Sequence, residues 1–164
     1  MSDTTWTTAD GCVTLTVPSA WEAHRDVRGI PLTALEPGPG FRTNAVVTYS
    51  GLPPGTGLVD WQRGTDQLLP STLDDFLLID LDRLPVAGSE GAWRLAHHAG
   101  PGGESLTMAQ WCALVGSTGI ALTLTGETLR YPELAPLMSR IAGSLQIHGE
   151  PPDPAPGAGE GAGQ

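Results

Sequence analysis

The 164-residue sequence contains no lysine, so arginine supplies all eight of its basic side chains. Eighteen aspartate and glutamate residues bring the formal net charge to −10 at pH 7. Arginine is nowhere concentrated, and the chain therefore offers no basic patch for nucleic-acid phosphates or anionic lipid headgroups. We expect no nucleic-acid partner. A protein partner is expected instead, either a client or a second copy of this chain in a homodimer.

Cysteine is scarce as well, and long apolar runs are missing. Cys12 and Cys112 belong to no CxxC or Cys/His spacing, so we expect small buried thiols, no metal and no cofactor. No apolar run approaches the roughly 20 residues that span a bilayer, which excludes membrane insertion by a helix. The opening residues, MSDTTWTTADGCV, have neither the positive region nor the apolar core of a secretory leader. We therefore expect a cytoplasmic protein.

The composition is that of one globular domain with a tail. Apolar residues make up 40% of the chain and charged residues 16%, which is enough apolar surface for a core. The last residues are rich in proline and glycine and carry no bulky apolar side chain after Ile147. We expect a flexible N-terminus over 1–10, one domain over 11–147, and a disordered acidic tail over 148–164.

Apolar periodicity predicts the elements of this domain. Alternation of apolar and polar residues predicts strands at 12–17, 31–36, 43–50, 74–84, 92–99 and in both arms of a hairpin over 108–126. Apolar residues at spacings of three and four predict helices over 58–69 and 136–145. The order β-β-β-α-β-β-β-β-α predicts an α+β fold, with an antiparallel sheet of about six to seven strands flanked by helices.

The hairpin assigns side chains to the two faces of the sheet. A turn centred on Ser117 and Thr118 pairs Trp111 with Leu124, so this face is apolar. Alternation carried back along the chain places Trp93 on the same face. The other face is mixed, and its residues form our candidate binding face: Phe76, Leu78, Asp80, Asp82, Arg94, His98, Met108 and Gln110. We expect Arg94 to lie on this mixed face, on the other side of the sheet from Trp93. There it should pair with Asp80 or Asp82.

Little in the sequence points to catalysis. Asp80 and Asp82 could act as a general acid and base if burial raised the pKa of one of them. Arg94 on the next strand favours two ionised carboxylates, so we interpret this group as a structural ion pair. His97 and His98 are adjacent on a strand and point to opposite faces, which prevents them from ligating one metal ion. We expect no enzyme, and a hydrolase using Asp80, Asp82 or His98 is the alternative.

Several residues in a fixed order carry a family resemblance. They are Pro18 and Trp21 after the first strand, Phe41 and Asn44 opening the third, Gln110 and Trp111 in the hairpin, and Ser144 and Leu145 at the end. Over residues 11–147 this order resembles the PsbP-like superfamily, most closely its actinobacterial LpqN/LpqT-type branch with DcrB-like relatives. We expect this chain to differ from that branch in having no leader or lipobox cysteine.

The resemblance implies an antiparallel sheet flanked by helices and no shared catalytic residues. It also implies relatives that are accessory or binding proteins: a photosystem extrinsic subunit, a Ran-binding protein and Eag-type chaperones of secreted toxins. We therefore expect a non-catalytic accessory or protein-binding module. The alternative from the same resemblance is a chaperone or adaptor for a secreted effector.

Overall fold

A computed structural model describes residues 2–152 of the chain. The strands are β1 (Asp3–Thr7), β2 (Val13–Pro18), β3 (Glu22–Val27), β4 (Ile30–Leu35), β5 (Asn44–Gly51), β6 (Leu77–Arg83), β7 (Gly91–Ala99), β8 (Ser105–Val115), β9 (Thr118–Glu127) and β10 (Gln146–Ile147). The helices are α1 (Leu58–Thr72) and α2 (Tyr131–Gly143), and one 3₁₀ turn, Thr128–Arg130, leads into α2.

These elements form two antiparallel sheets. The large sheet has the strand order β3-β4-β5-β9-β8-β7-β6, and the small sheet has the order β1-β2-β10. The expected α+β class is confirmed, as are both helices and all the predicted strands. Strands β1, β3 and β10 were not expected, because they are short or lack a regular apolar alternation.

Residues near the N-terminus form a strand within the segment that was expected to be flexible, and the flexibility of 1–10 stays a prediction. Strand β1 pairs with β2 along its whole length, with Asp3 opposite Pro18 and Trp6 opposite Leu15. The guanidinium of Arg25 also lies 5.6 Å from the centre of the Trp6 ring, where the ring quadrupole attracts a cation. The threonine-rich sequence of β1 has a high β-propensity but little apolar character, which is why alternation failed to reveal it.

The expected tail is attached to the fold at its beginning. The main-chain N–H of His148 donates to the carbonyl of Cys12 at 2.7 Å. The Glu150 carboxylate accepts hydrogen bonds from the main-chain N–H of Ser117 at 3.0 Å and from the Thr118 hydroxyl at 3.3 Å, and these bonds lower the pKa of Glu150. Residues 148 and 150 thus contact the folded part of the chain, and a disordered tail over 148–164 stays a prediction. Residues 153–164 lie outside the described residues.

The main core lies on one face of the large sheet, which we call the α2 face. There Val47, Leu122 and Leu124 pack against the small sheet and against Met138 and Ile141 of α2. Burial of this continuous apolar surface supplies most of the driving force for folding.

The β8–β9 hairpin has the expected faces but a different register. Trp111 lies opposite Leu122 rather than Leu124, because the turn consists of Gly116 and Ser117. Gly116 has a φ of +61°, as the first position of a type II′ turn requires. A shift of two residues preserves which side chains share a face, so the assignment of the apolar face holds.

Helix α1 covers the opposite face, which we call the α1 face. Leu58 and Gln62 are its buried residues, and the ring of Trp61 packs directly on the backbone of Gly119. A Cβ atom at position 119 would lie 2.4 Å from that ring, so only glycine permits this approach. Leu68, an apolar residue of the same helix, is exposed.

Candidate functional site

A bulge in the edge strand divides the expected binding face. Strand β6 pairs with β7, and the register shifts at Ile79, between Leu78 and Asp80. Beyond the bulge Asp80 lies opposite Leu95, and Asp82 lies opposite Trp93. Both aspartates therefore project from the α2 face, while Arg94 projects from the α1 face as expected. An extra residue in a strand exchanges the faces of everything that follows it.

Arg94 finds its partner in helix α1 instead of in β6. Its side chain is 1% exposed and donates to a carboxylate oxygen of Asp66 from Nη2 at 2.5 Å and from Nε at 3.1 Å. Its Nη1 donates to Oε1 of Gln110 at 2.7 Å, and Nη2 reaches the Gln62 carbonyl at 3.4 Å. The expected pairing of Arg94 with Asp80 or Asp82 is wrong, because those carboxylates lie on the other side of the sheet.

The remaining polar groups around Arg94 are enclosed beneath α1. Gln110 donates to the Thr123 hydroxyl at 3.0 Å, and Met108 beside this network is buried. Burial raises the pKa of the Cys112 thiol to about 11, so it stays protonated at neutral pH. The side-chain amide of Gln62 is buried without a hydrogen-bond partner. This part of the expected binding face is closed to an incoming molecule.

The residues of the alternative hydrolase do not assemble. His98 lies on the α1 face and its Nδ1 is 3.2 Å from the Ala99 carbonyl oxygen, whereas Asp80 and Asp82 project from the α2 face. Phe76, which precedes β6, is half-buried. Among residues 2–152 no group of three His, Cys, Asp or Glu side chains is arranged to hold a metal ion.

An accessible concavity lies on the α2 face, in a place the sequence did not single out. Helix α2 packs on β8 and β9, and a hollow of about 260 Å³ remains between it and the β7 side of the sheet. We call this concavity the aromatic hollow. It is lined by Leu84, Trp93, Ala109, Trp111, Tyr131, Ala135, Met138 and Ser139.

The two tryptophans of the aromatic hollow were expected to share the apolar face of the sheet. Trp93 and Trp111 are indeed paired directly across β7 and β8. Both are only half-buried, however, because α2 stops short of β7. Their shared face could be predicted from alternation, but the width of the gap beside α2 depends on packing between distant elements.

Strand β6 forms the free edge of the sheet next to the aromatic hollow. All seven of its residues are exposed, including Leu77 at 60% and Leu81 at 42%. Oδ1 of Asp80 accepts the main-chain N–H of Leu81 at 2.8 Å, and Oδ1 of Asp82 accepts that of Arg83 at 2.8 Å. The two aspartates thus accept hydrogen bonds from main-chain N–H groups that an edge strand would otherwise offer to another strand.

The architecture defines the class of protein. An antiparallel seven-stranded sheet with a helix on each face, closed on one face by a small sheet, is an α+β arrangement that several solved structures share. Cyanobacterial PsbP (CyanoP) from Synechocystis sp. PCC 6803 matches with a TM-score of 0.70 at 14% identity, over 90% of this chain and 93% of CyanoP. The chain has the PsbP-like fold.

Two further structures extend the comparison. LpqN, involved in cell envelope biogenesis of Mycobacterium tuberculosis, matches with a TM-score of 0.65 at 15% identity, over 89% of this chain and 90% of LpqN. The Ran-binding protein Mog1p of Saccharomyces cerevisiae matches at 0.62 and 12% identity, over 91% of this chain and 97% of Mog1p. The resemblance expected from the sequence is confirmed for the fold, and the actinobacterial assignment stays a prediction.

Sequence comparison adds nothing to this structural likeness. No protein-family model matches the chain, and no curated protein matches it. Neither helix of residues 2–152 is long and apolar enough to cross a membrane. The cytoplasmic location stays a prediction.

Proposed function

We propose that this chain is a non-catalytic module that binds another protein, and that the aromatic hollow is where it does so. The observation that carries the proposal is the half-buried pair Trp93 and Trp111, which lines the gap between α2 and the β7 side of the sheet. Aromatic side chains in a concave, mostly apolar setting supply large contact areas at little cost in side-chain entropy. Such surfaces are the usual anchor points of protein interfaces.

The size of the hollow favours part of a polypeptide over a free cofactor. At about 260 Å³ it lies below the roughly 300–1,000 Å³ of typical small-molecule pockets, and it is open on one side. One or two apolar side chains of a partner would fill it. Mog1p, which has the same fold, is a Ran-binding protein, so this fold supports protein binding in at least one relative.

A displayed library of random twelve-residue peptides tests the proposal. Peptides selected on the parent protein are measured against two variants that each place a phenylalanine at an exposed helix position. Ser139→Phe fills the hollow, and Gln67→Phe changes the far side of α1. We expect Ser139→Phe to weaken binding about tenfold or more, because the anchoring side chain loses its site, and Gln67→Phe to leave it unchanged.

The opposite results would refute the proposal. A library that yields no enriched peptide on the parent protein would show that the hollow is no recognition site. Peptides that bind the Ser139→Phe variant as well as the parent would place binding elsewhere.

A further inference from the structure

The outer edge of β6 has a defined pattern of free main-chain groups. The N–H of Leu84 donates inward to the Gly91 carbonyl at 3.1 Å. Because N–H groups alternate in direction along an antiparallel strand, those of Leu81 and Arg83 point outward, away from β7. These are the two N–H groups that the carboxylates of Asp80 and Asp82 accept. Each aspartate therefore covers the donor of the residue that follows it.

This arrangement makes pairing at the edge depend on charge. A strand that adds to β6 must bond the N–H groups of Leu81 and Arg83, which requires both carboxylates to turn away. A neutral strand gives those carboxylates no new partner. Basic side chains directly opposite Asp80 and Asp82 would give each one an ion pair in exchange for the hydrogen bond it loses.

The same geometry disfavours a second copy of this chain as the occupant. Antiparallel self-pairing over this part of β6 places Asp80 opposite Asp80, Asp82 opposite Asp82, or Asp80 opposite Asp82. Like charges directly opposite one another are destabilising, and the net charge of −10 adds repulsion between copies. The registers centred on Asp80, Leu81 or Asp82 therefore all carry that repulsion.

Apolar groups on the other face of β6 complete the recognition pattern. Leu81 lies opposite Arg94 and Leu78 lies opposite Ala96, so both leucines project from the α1 face, where they are 42% and 38% exposed. An added strand whose basic residues face the aspartates would turn its intervening side chains toward these leucines. Apolar side chains at those positions would bury the exposed leucine surface.

We propose that β6 binds an extended segment of a partner protein by strand addition, and that the segment alternates basic residues, facing Asp80 and Asp82, with apolar residues on the α1 face. The inference rests on the proposed function only in taking the ligand to be a polypeptide. It uses a different surface from the aromatic hollow, so the two can fail separately.

Synthetic peptides test the proposal on the full chain. The probe is an end-capped nine-residue peptide alternating arginine and valine, and its control has glutamate in place of arginine. We expect the arginine peptide to bind at least about tenfold more tightly, since two attractive pairs replace two repulsive ones. Amide hydrogen exchange at Leu81 and Arg83, followed by NMR, should slow only when the arginine peptide is present, because added-strand carbonyls then protect these groups.

Variants and modified peptides separate strand addition from mere charge attraction. Asp80→Asn with Asp82→Asn should reduce the preference for arginine over glutamate to about twofold or less, while retaining side-chain acceptors of similar shape. An arginine peptide N-methylated on alternate residues along one edge cannot pair through that edge. We expect methylation of one edge to abolish binding and methylation of the other to preserve it. Ser139→Phe should have no effect on this peptide, which keeps the test independent of the hollow.

Three results would overturn the proposal. Equal affinity for the two peptides would remove the role of charge. Unchanged exchange at Leu81 and Arg83 in the peptide complex would exclude strand addition. A peptide-free dimer in sedimentation that dissociates in the Leu81→Pro variant would make a second copy the occupant.

Discussion

The most direct test of the fold concerns the charge buried beneath α1. Replacing Asp66 with asparagine keeps the size of the side chain but removes the one carboxylate among residues 2–152 that Arg94 contacts. The guanidinium is then left 1% exposed, with amide oxygens as its acceptors. Breaking a buried pair in this way costs about 3–5 kcal/mol, and we expect about 3 kcal/mol because Asp66 itself is 32% exposed.

The reverse replacement should cost less. Arg94→Met leaves the Asp66 carboxylate without its partner, but this carboxylate can bind water because it is partly exposed. The buried Oε1 of Gln110 also loses the guanidinium and retains the Cys112 thiol, at 3.5 Å, as a weak hydrogen-bond donor. We expect a loss of about 1–2 kcal/mol, the usual cost of one buried acceptor without a full partner. The double variant Arg94→Met with Asp66→Leu removes both charges and should recover most of the stability lost in Asp66→Asn.

Urea denaturation followed by far-ultraviolet circular dichroism measures all three free energies of unfolding. The order of the single variants is the decisive outcome, because it depends on which charge is left without water. A free energy for Asp66→Asn within about 0.5 kcal/mol of the parent would refute the reasoning, since changes of that size are typical of exposed positions. It would mean that Arg94 reaches solvent when its carboxylate is removed.

Three further outcomes follow from burial and hydrogen bonding. Leu122→Ala, at a fully buried position, should lower the free energy of unfolding by about 3–4 kcal/mol in a denaturant titration. Trp111→Ala should lower it by less than the roughly 3–5 kcal/mol typical of a core tryptophan, because one side of its ring faces the hollow. Glu150→Ala should lower the Tm in a calorimetric scan, because the β8–β9 turn loses its acceptor, while deletion of residues 153–164 should leave the Tm unchanged. Cys112 should resist a disulfide reagent at pH 8 until the protein is denatured, whereas the partly exposed Cys12 should react in the native protein, as thiol titration would show.

Local patterns account for the parts of this fold that the sequence predicted. Alternation along a strand is a property of neighbouring residues, so the shared face of Trp93 and Trp111 was predicted correctly even though the hairpin register was wrong by two residues. The bulge at Ile79 is different, because nothing in LLIDLDR marks which residue is left unpaired. That one residue reversed the placement of Asp80 and Asp82.

The partner of Arg94 could not be predicted for a related reason. Alternation relates Arg94 only to residues of the adjacent strands, whereas Asp66 reaches the guanidinium from a helix that packs across the sheet. The position of that helix depends on contacts distant in sequence, including the ring of Trp61 on the backbone of Gly119. Gly119, the second residue of β9, was the available signal, because a glycine inside a strand often marks the close approach of another element.

The two faces of the sheet consequently have opposite properties. Beneath helix α1 lies the guanidinium of Arg94, which is costly to expose because it is buried and paired with Asp66, so the part of the α1 face that the helix covers stays closed. The α2 face is left open beside Trp93, and the bulge directs Asp80 and Asp82 to the same side. A strand with exposed Leu77, Ile79 and Leu81 at a sheet edge would otherwise favour aggregation. The carboxylates that cover its outward N–H groups oppose pairing with a second copy, and by the same charge they would favour a basic segment over a neutral one.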